Sequence, residues 1–360
     1  MDILNSKNPE DFIKPQILNL GKCNYRRYGA EIEIQNKNTS KLGPYLDNDD
    51  DMINCAEIED DLEIKVTKSG KFIAQFHIAP VFYPTIIGVK GTNKRQLESA
   101  TDTSIKIPKV GESGNIIITG NSERSISSAH ARLQMLVLQL RDKQQMTHFI
   151  SVPVASSEID KQFQIFKSNL LDGPPLRGVD DSIFQRPNKF HLTIAPLVLM
   201  DNIEKLLAIQ LLQECKEEII SPLFKNANPM RIILEGLEIM NDDPSDVDVL
   251  YAKVKLSLPK YGSSFQSMAD KIVEHFANKG LIRKQYESVK LHVTLMNSLF
   301  RRGNAQNERH VRESFDATYI LQKYKNFRFG ETDLNAVHLS IRFVNTDGKY
   351  YDSLSTINIF

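Results

Sequence analysis

The chain has 360 residues, of which 41% are hydrophobic and 25% charged, the make-up of ordinary folded protein with room for two domains and a tail. Lys plus Arg number 45 and Asp plus Glu number 45, so the total charge by itself argues against a uniformly basic nucleic-acid binder. No stretch approaches the roughly 18 apolar residues of a membrane-crossing helix, and a membrane partner is not expected.

The opening MDILNSKNPEDFIKPQ has acids and prolines where a secretory signal places a basic stretch and then an apolar run, so secretion is not expected. Residues 1–70 contain 9 basic and 14 acidic side chains, with acidic runs at Asp49 to Asp51 and Glu59 to Asp61. This segment reads as an acidic, largely flexible tail. Its short apolar pieces, Ile13 to Leu20 and Tyr25 to Ile34, suit either docking on a partner or a solvated tail. Cys23, Cys55 and Cys215 are far apart and show no CxxC spacing, which points to a reducing compartment, with no disulfide framework and no zinc site.

From Lys71 the pattern becomes that of a compact domain, 71–146, with 10 basic against 5 acidic residues. FIAQFHI reads as a strand and VFYPTIIG as a short helix. The loop Gly88-Val89-Lys90-Gly91 follows, then a helix to about Asp102, strands at SIKIP and NIIITG, and a long helix from Ser122 carrying Ile126, Leu133, Leu136, Val137 and Leu140 at helical spacing. Two glycines let the loop backbone come close to a nucleic-acid backbone, and the N–H groups that open the next helix favour phosphate. Lys90, Lys94 and Arg95 add positive charge. Ile86, Ile87, Leu97, Ile105 and Ile107 are candidates for an apolar groove or for the core beneath it.

This order, with IIGVKG, KRQL and TSIKI, resembles a type I KH domain over residues 72–142. The resemblance implies a three-stranded sheet with helices on one face, and a single strand of RNA or DNA held at Gly88, Val89, Lys90, Gly91, Lys94, Arg95, Ile86 and Ile87. Lys94 stands where the family is usually aliphatic, and Asp102 where a glycine is common.

Residues 147–360 hold 26 basic and 26 acidic residues and alternate strand and helix signals. HFISVPV reads as a strand, Lys161 to Leu170 as a helix, KFHLTIAPLVL as a strand and Ile203 to about Phe224 as one long helix. Strands MRIILEGLEIM and VLYAKVKL follow, then the helix SSFQSMADKIVEHFANKG and the strand KLHVTLMNSLF. KFHLTI and KLHVTL repeat Lys, apolar, His, apolar, Thr, apolar, with His191 and His292 101 residues apart. Alternate residues of a strand share a face, so His191 pairs with Thr193 and His292 with Thr294. If two lobes pack about a pseudo-twofold axis, two imidazoles and two hydroxyls meet in one cleft. There one neutral histidine can act as base, a protonated one as acid, and the threonines can donate to phosphate oxygens. No metal or cofactor is needed.

The paired motifs resemble the 2H phosphoesterase superfamily, which includes phosphodiesterases acting on 2',3'-cyclic phosphates. This resemblance implies a bilobal α+β domain with antiparallel sheets flanked by helices, and a nucleotide or phosphate end in its cleft. His338-Leu339-Ser340 lies too near His292 to head another lobe and reads as structural, as do His77, His130, His148, His275 and His310. Lys189 and Lys290, two residues before each histidine, share its face at the cleft edge and read as phosphate-attracting or solvated. A KH domain followed by a 2H domain resembles, over residues 72–360, a family of nuclear subunits of a complex built around a DNA and RNA helicase. That family is linked to repair of alkylation damage and to transcriptional coactivation. The sequence leaves open whether the cleft only binds or also turns over.

Overall fold

A computed structural model describes residues 16–20, 23–27, 62–109, 112, 114–284, 286–301, 312–344 and 348–360. Both acidic runs, Cys55 and His310 lie outside the described residues. Within the N-terminal segment, β1 (Gln16–Leu20) pairs antiparallel with β2 (Cys23–Arg27). This hairpin stands in a stretch read from sequence as largely flexible: five-residue strands three positions apart are too short for a visible apolar period.

The described chain forms two compact units. The first contains β3 (Ile64–Val66), β4 (Phe72–Phe76), α1 (Tyr83–Ile87), α2 (Thr92–Thr101), β5 (Thr103–Lys106), β6 (Ile116–Gly120) and the start of α3 (Glu123–Arg141). Its sheet has the order β3-β4-β6-β5, all antiparallel. The expected three strands are present, and β3 adds a fourth at the edge. The tail therefore contributes a strand to the domain that was expected to begin at residue 71. The pairs Ala74↔Ile118 and Ile105↔Ile118 make one row, and these residues are buried to 1% or less, as are Ile86, Ile126, Ala129 and Leu133 of the helices. A period of two on the strands and of 3.6 on the helices thus builds one core.

The second unit takes up Leu136–Ile282 and Tyr286–Phe360, together with Ala79–Phe82. Its elements are β7 (His148–Pro153), α4 (Ser157–Leu171), β8 (His191–Leu197), α5 (Asn202–Cys215), α6 (Ser221–Leu223), β9 (Arg231–Ile239), β10 (Val249–Leu256), α7 (Gly262–Asn278), β11 (His292–Asn297), α8 (Thr318–Tyr324), β12 (Arg328–Asp333), β13 (Ala336–Ile341) and β14 (Ser353–Asn358). The long helix read over Ile203 to Phe224 is α5 and α6 joined by a π-turn at Lys216–Ile220, through which Cys215, Ile219 and Ile220 all stay buried.

One sheet of eight strands runs β12-β9-β10-β11-β8-β7-β13-β14. Each histidine strand is the innermost of four: β8 is followed outward by β7, β13 and β14, and β11 by β10, β9 and β12. The two expected lobes are therefore halves of a continuous sheet, related by a pseudo-twofold axis between β8 and β11. The last three strands are shared out, β12 going to one half and β13 with β14 to the other. One face carries Leu192, Val293, Leu250, Ala252, Ile150 and Val152, fully buried in a core with Phe163 and Phe166 of α4, Leu211 and Leu212 of α5 and Met268, Ile272 and Phe276 of α7. Burying side chains of this size contributes about 1.5–3 kcal/mol each.

Among the described residues, acidic and basic side chains are buried in one place. Arg141 donates to both carboxylate oxygens of Glu204 and to the carbonyl of Val198, while Glu204 also accepts from the Met200 amide at 2.7 Å. Both side chains are buried, so each needs the other.

Candidate functional site

In the first unit the loop between α1 and α2 has a backbone that most residues avoid. Gly88, Lys90 and Gly91 have φ of 71°, 52° and 78°. A Cβ on Gly88 would stand 2.6 Å from Cγ of Asn93, which is itself pinned by donation from Nδ2 to the Thr85 carbonyl at 2.9 Å. Gly91 has open space around its Cβ position and needs glycine for its dihedral alone. The hydroxyl of Thr92 donates to the Val89 carbonyl, and Arg95 Nη2 donates to the Lys90 carbonyl at 2.9 Å. The tip is thus braced from α2 while Val89 is 81% exposed and Lys90 is exposed. Gly91 caps α2 without a side-chain hydrogen bond, which leaves first-turn N–H groups for an anion.

The expected contact residues fall into three groups. Gly88, Val89, Lys90 and Gly91 form the loop itself. Lys94 and Arg95 lie on the first turn of α2; Lys94 pairs with Glu98 at 3.2 Å, and Arg95 spends one donor on the loop. Ile87 is half-buried. Ile86 is 1% exposed, which places it in the core, so its expected contact with nucleic acid is replaced by support of the loop from below. Ile105, also 1% exposed, belongs to the core rather than to a groove. Asn93 was not singled out from the sequence, because its part depends on where its amide folds back. Asp102 ends α2 with φ 49°, a left-handed cap that explains why glycine is common there.

In the second unit β8 and β11 are paired antiparallel at Val293↔Leu192. Continuing that register puts His191 opposite Thr294 and Thr193 opposite His292. Leu192 and Val293 point into the core, so the two histidines and two threonines share the other face, each partly exposed. The structure brings all four expected residues together in a quartet across the central seam.

Both rings are held alike. His191 Nδ1 donates to the Lys189 carbonyl at 2.7 Å and His292 Nδ1 donates to the Lys290 carbonyl at 2.6 Å. A carbonyl only accepts, so each neutral ring carries its proton on Nδ1 and keeps the lone pair on Nε2. Burial pushes His191 down to about 4, against the supporting bond to Lys189 and with further lowering by His292. Burial and Lys290 lower His292 as well. Charge on one ring therefore opposes charge on the other, which favours a singly protonated pair over a doubly protonated one.

The two walls differ. His191 packs against Phe149, Tyr351 and Tyr350, with ring centroids at 4.9, 5.6 and 6.4 Å. His292 has Tyr251 at 5.1 Å. Sequence reading missed these tyrosines: Tyr251 reaches the seam as the cross-strand partner of Thr294, a relation visible only once β10 and β11 are paired. Ser151 lies opposite Thr193, and its hydroxyl shares hydrogen bonds with Ser340 at 3.0 Å and Tyr350 at 2.9 Å. His338 is opposite Ser151 on β13, an outer strand of the His191 half, and so heads no lobe. Among the described residues no group of three or more His, Cys, Asp or Glu could hold a metal ion.

Models of two known domains match the chain: the KH domain over residues 73–135 and the AKAP7 2'5' RNA ligase-like domain over residues 146–359. Fold and site thus define a class, a KH domain joined to a 2H-type domain. Across 356 residues, 94% of this chain and 97% of the other, the sequence is 38% identical to activating signal cointegrator 1 complex subunit 1 of Mus musculus. The chain belongs to that family. The crystal structure of TT0787 of Thermus thermophilus is similar at 15% identity, covering 59% of this chain and 98% of that one, with a TM-score of 0.37.

Proposed function

We propose that this chain is a nucleic-acid-binding subunit of an activating signal cointegrator complex. Its KH loop grips a single strand, and its 2H cleft holds a phosphate-bearing nucleotide end. The observation that carries this reading is the His191, Thr193, His292, Thr294 quartet on one sheet face, with both imidazoles fixed in the Nδ1–H form. Two hydroxyls supply donors to the non-bridging oxygens of a phosphodiester, and the negative charge of a bound phosphate favours protonation of one imidazole, which adds a further donor. The exposed Val89 and Lys90 at the loop tip support the strand-binding part.

A second reading is turnover of 2',3'-cyclic phosphate ends, favoured by the equivalence of the two histidines. The neutral ring would take a proton from water as its oxygen bonds to phosphorus. The bond from phosphorus to the departing ribose oxygen would break, and the protonated ring would give its proton to that oxygen. Oligonucleotides ending in 2',3'-cyclic phosphate, incubated with the native chain and with His191→Ala and His292→Ala, test it. Loss of about 100-fold or more in rate with each substitution is expected; turnover that survives both would sink the two-histidine mechanism, and no turnover by the native chain leaves binding as the role.

The likeness to the mouse subunit supports assembly into a complex. By the same kinship we propose a nuclear location, a helicase partner subunit and a part in alkylation-damage repair and transcriptional coactivation. Co-fractionation of the chain from nuclei with a helicase of that complex is the expected outcome; fractionation as a free cytosolic chain would contradict it.

A further inference from the structure

The lysines two residues before each histidine are both folded back over a tyrosine. Lys189 Nζ lies 4.4 Å from the centroid of Tyr351, and Lys290 Nζ lies 4.9 Å from that of Tyr251. Each of those tyrosines also packs against the matching histidine, Tyr351 against His191 at 5.6 Å and Tyr251 against His292 at 5.1 Å. The two halves of the sheet therefore repeat a unit of lysine, tyrosine and histidine, with the tyrosines drawn from unrelated places: Tyr251 from β10 and Tyr351 from the segment before β14. A tyrosine face attracts an ammonium and restricts where it can go, so both charges are kept beside the seam.

Their placement along the seam follows from strand direction. Lys189 precedes β8 and Lys290 precedes β11, and these strands run antiparallel, so the lysines stand at opposite ends with the quartet between them. Tyr251, Glu238 and Asp242 raise the pKa of Lys290, and Glu238 is itself paired with Lys253 at 3.4 Å. Lys189 is lowered by burial and by Arg186, and raised by Asp352. A mononucleotide cyclic phosphate would occupy the quartet and leave both ends of this arrangement idle. A strand lying along the seam would present one phosphate to the quartet and a neighbouring phosphate to each lysine.

From this we infer that Lys189 and Lys290 form a two-ended phosphate clamp, and that the cleft takes a single-stranded oligonucleotide continuing on both sides of the phosphodiester held by the quartet. The inference rests on the phosphodiester reading of the cleft. It explains why Lys-x-His is duplicated as well as His-x-Thr: the lysine carbonyl sets the imidazole tautomer, and its ammonium anchors the next phosphate.

The test uses the full chain carrying Val89→Asp and Lys90→Asp, which removes strand binding at the KH loop. Equilibrium binding is measured for cytidine 2',3'-cyclic phosphate and for a five-nucleotide single strand with uncleavable linkages, in chains with Lys189→Gln, Lys290→Gln or the arginine replacement at either site. Each glutamine variant is expected to weaken the pentanucleotide by about three- to tenfold and to reduce its salt slope by about 0.7. The cyclic mononucleotide should change less than about twofold, and the arginine variants should hold the pentanucleotide near native affinity. Equal losses for both ligands, or dependence of the pentanucleotide on only one lysine, would overturn the clamp. If neither ligand responds to His191→Ala or His292→Ala, the phosphodiester reading falls with it.

Discussion

A single atom separates the two loop glycines in what they do. At Gly88 a methyl group meets the pinned Asn93 amide at 2.6 Å as well as a left-handed dihedral; at Gly91 it meets only the dihedral. Gly88→Ala is therefore expected to cost about 1–3 kcal/mol of stability in the first unit and to weaken single-strand binding. Gly91→Ala is expected to cost about 1–2 kcal/mol. Urea denaturation followed by far-UV circular dichroism checks both, and equal losses would contradict the role given to Asn93. The histidines give a second prediction. Both rings are held neutral by burial, so both should titrate below the ordinary 6.5, with His191 near 4. A depressed folded-state pKa means that the stability linked to His191 is fully present above 6.5 and is lost as the pH falls through about 4. Proton NMR of the imidazoles should show it, and a His191 that titrates at or above 6.5 would refute it.

Among the elements, α5 is tied to the end of α3 by a buried ion pair. Glu204 answers buried Arg141 and accepts the Met200 amide in the turn before the helix. Glu204→Ala strands a buried guanidinium and should cost about 3–5 kcal/mol, whereas Arg141→Met together with Glu204→Leu should recover most of that loss. Urea midpoints of the two variants measure the difference, and equal destabilisation would contradict it. Element scale is also where reading the sequence stops. His191, Thr193, His292 and Thr294 were legible because a strand's period of two is written in consecutive residues. The KH order was legible because the loop glycines, the apolar run before them and the helix after them lie within one short stretch. Tyr251, Tyr350, Tyr351 and Ser151 were not legible, since Tyr251 and Ser151 reach the seam through strand pairings across the chain and Tyr350 and Tyr351 through the segment before β14. The four-stranded first sheet was missed because β3 is three residues long, and the joined eight-stranded sheet because β12 pairs with β9, β13 with β7 and β8 with β11, all far apart in sequence.

Across the molecule, a balanced total charge conceals an acidic N-terminal segment, a basic KH unit and a neutral 2H unit. Broad positive charge therefore suits only the middle one, and the recognition proposed for the last rests on a few placed groups: two imidazoles, two hydroxyls and the lysines at the ends of the seam. The most direct measurement of this account is the affinity of the full chain for a single strand ending in 2',3'-cyclic phosphate, read in the Val89→Asp, Lys90→Asp background with and without His191→Ala and His292→Ala. The account predicts a residual affinity for the cyclic end that falls about tenfold or more when either histidine is replaced. Residual affinity unchanged by both replacements would show that the quartet is not a phosphate site.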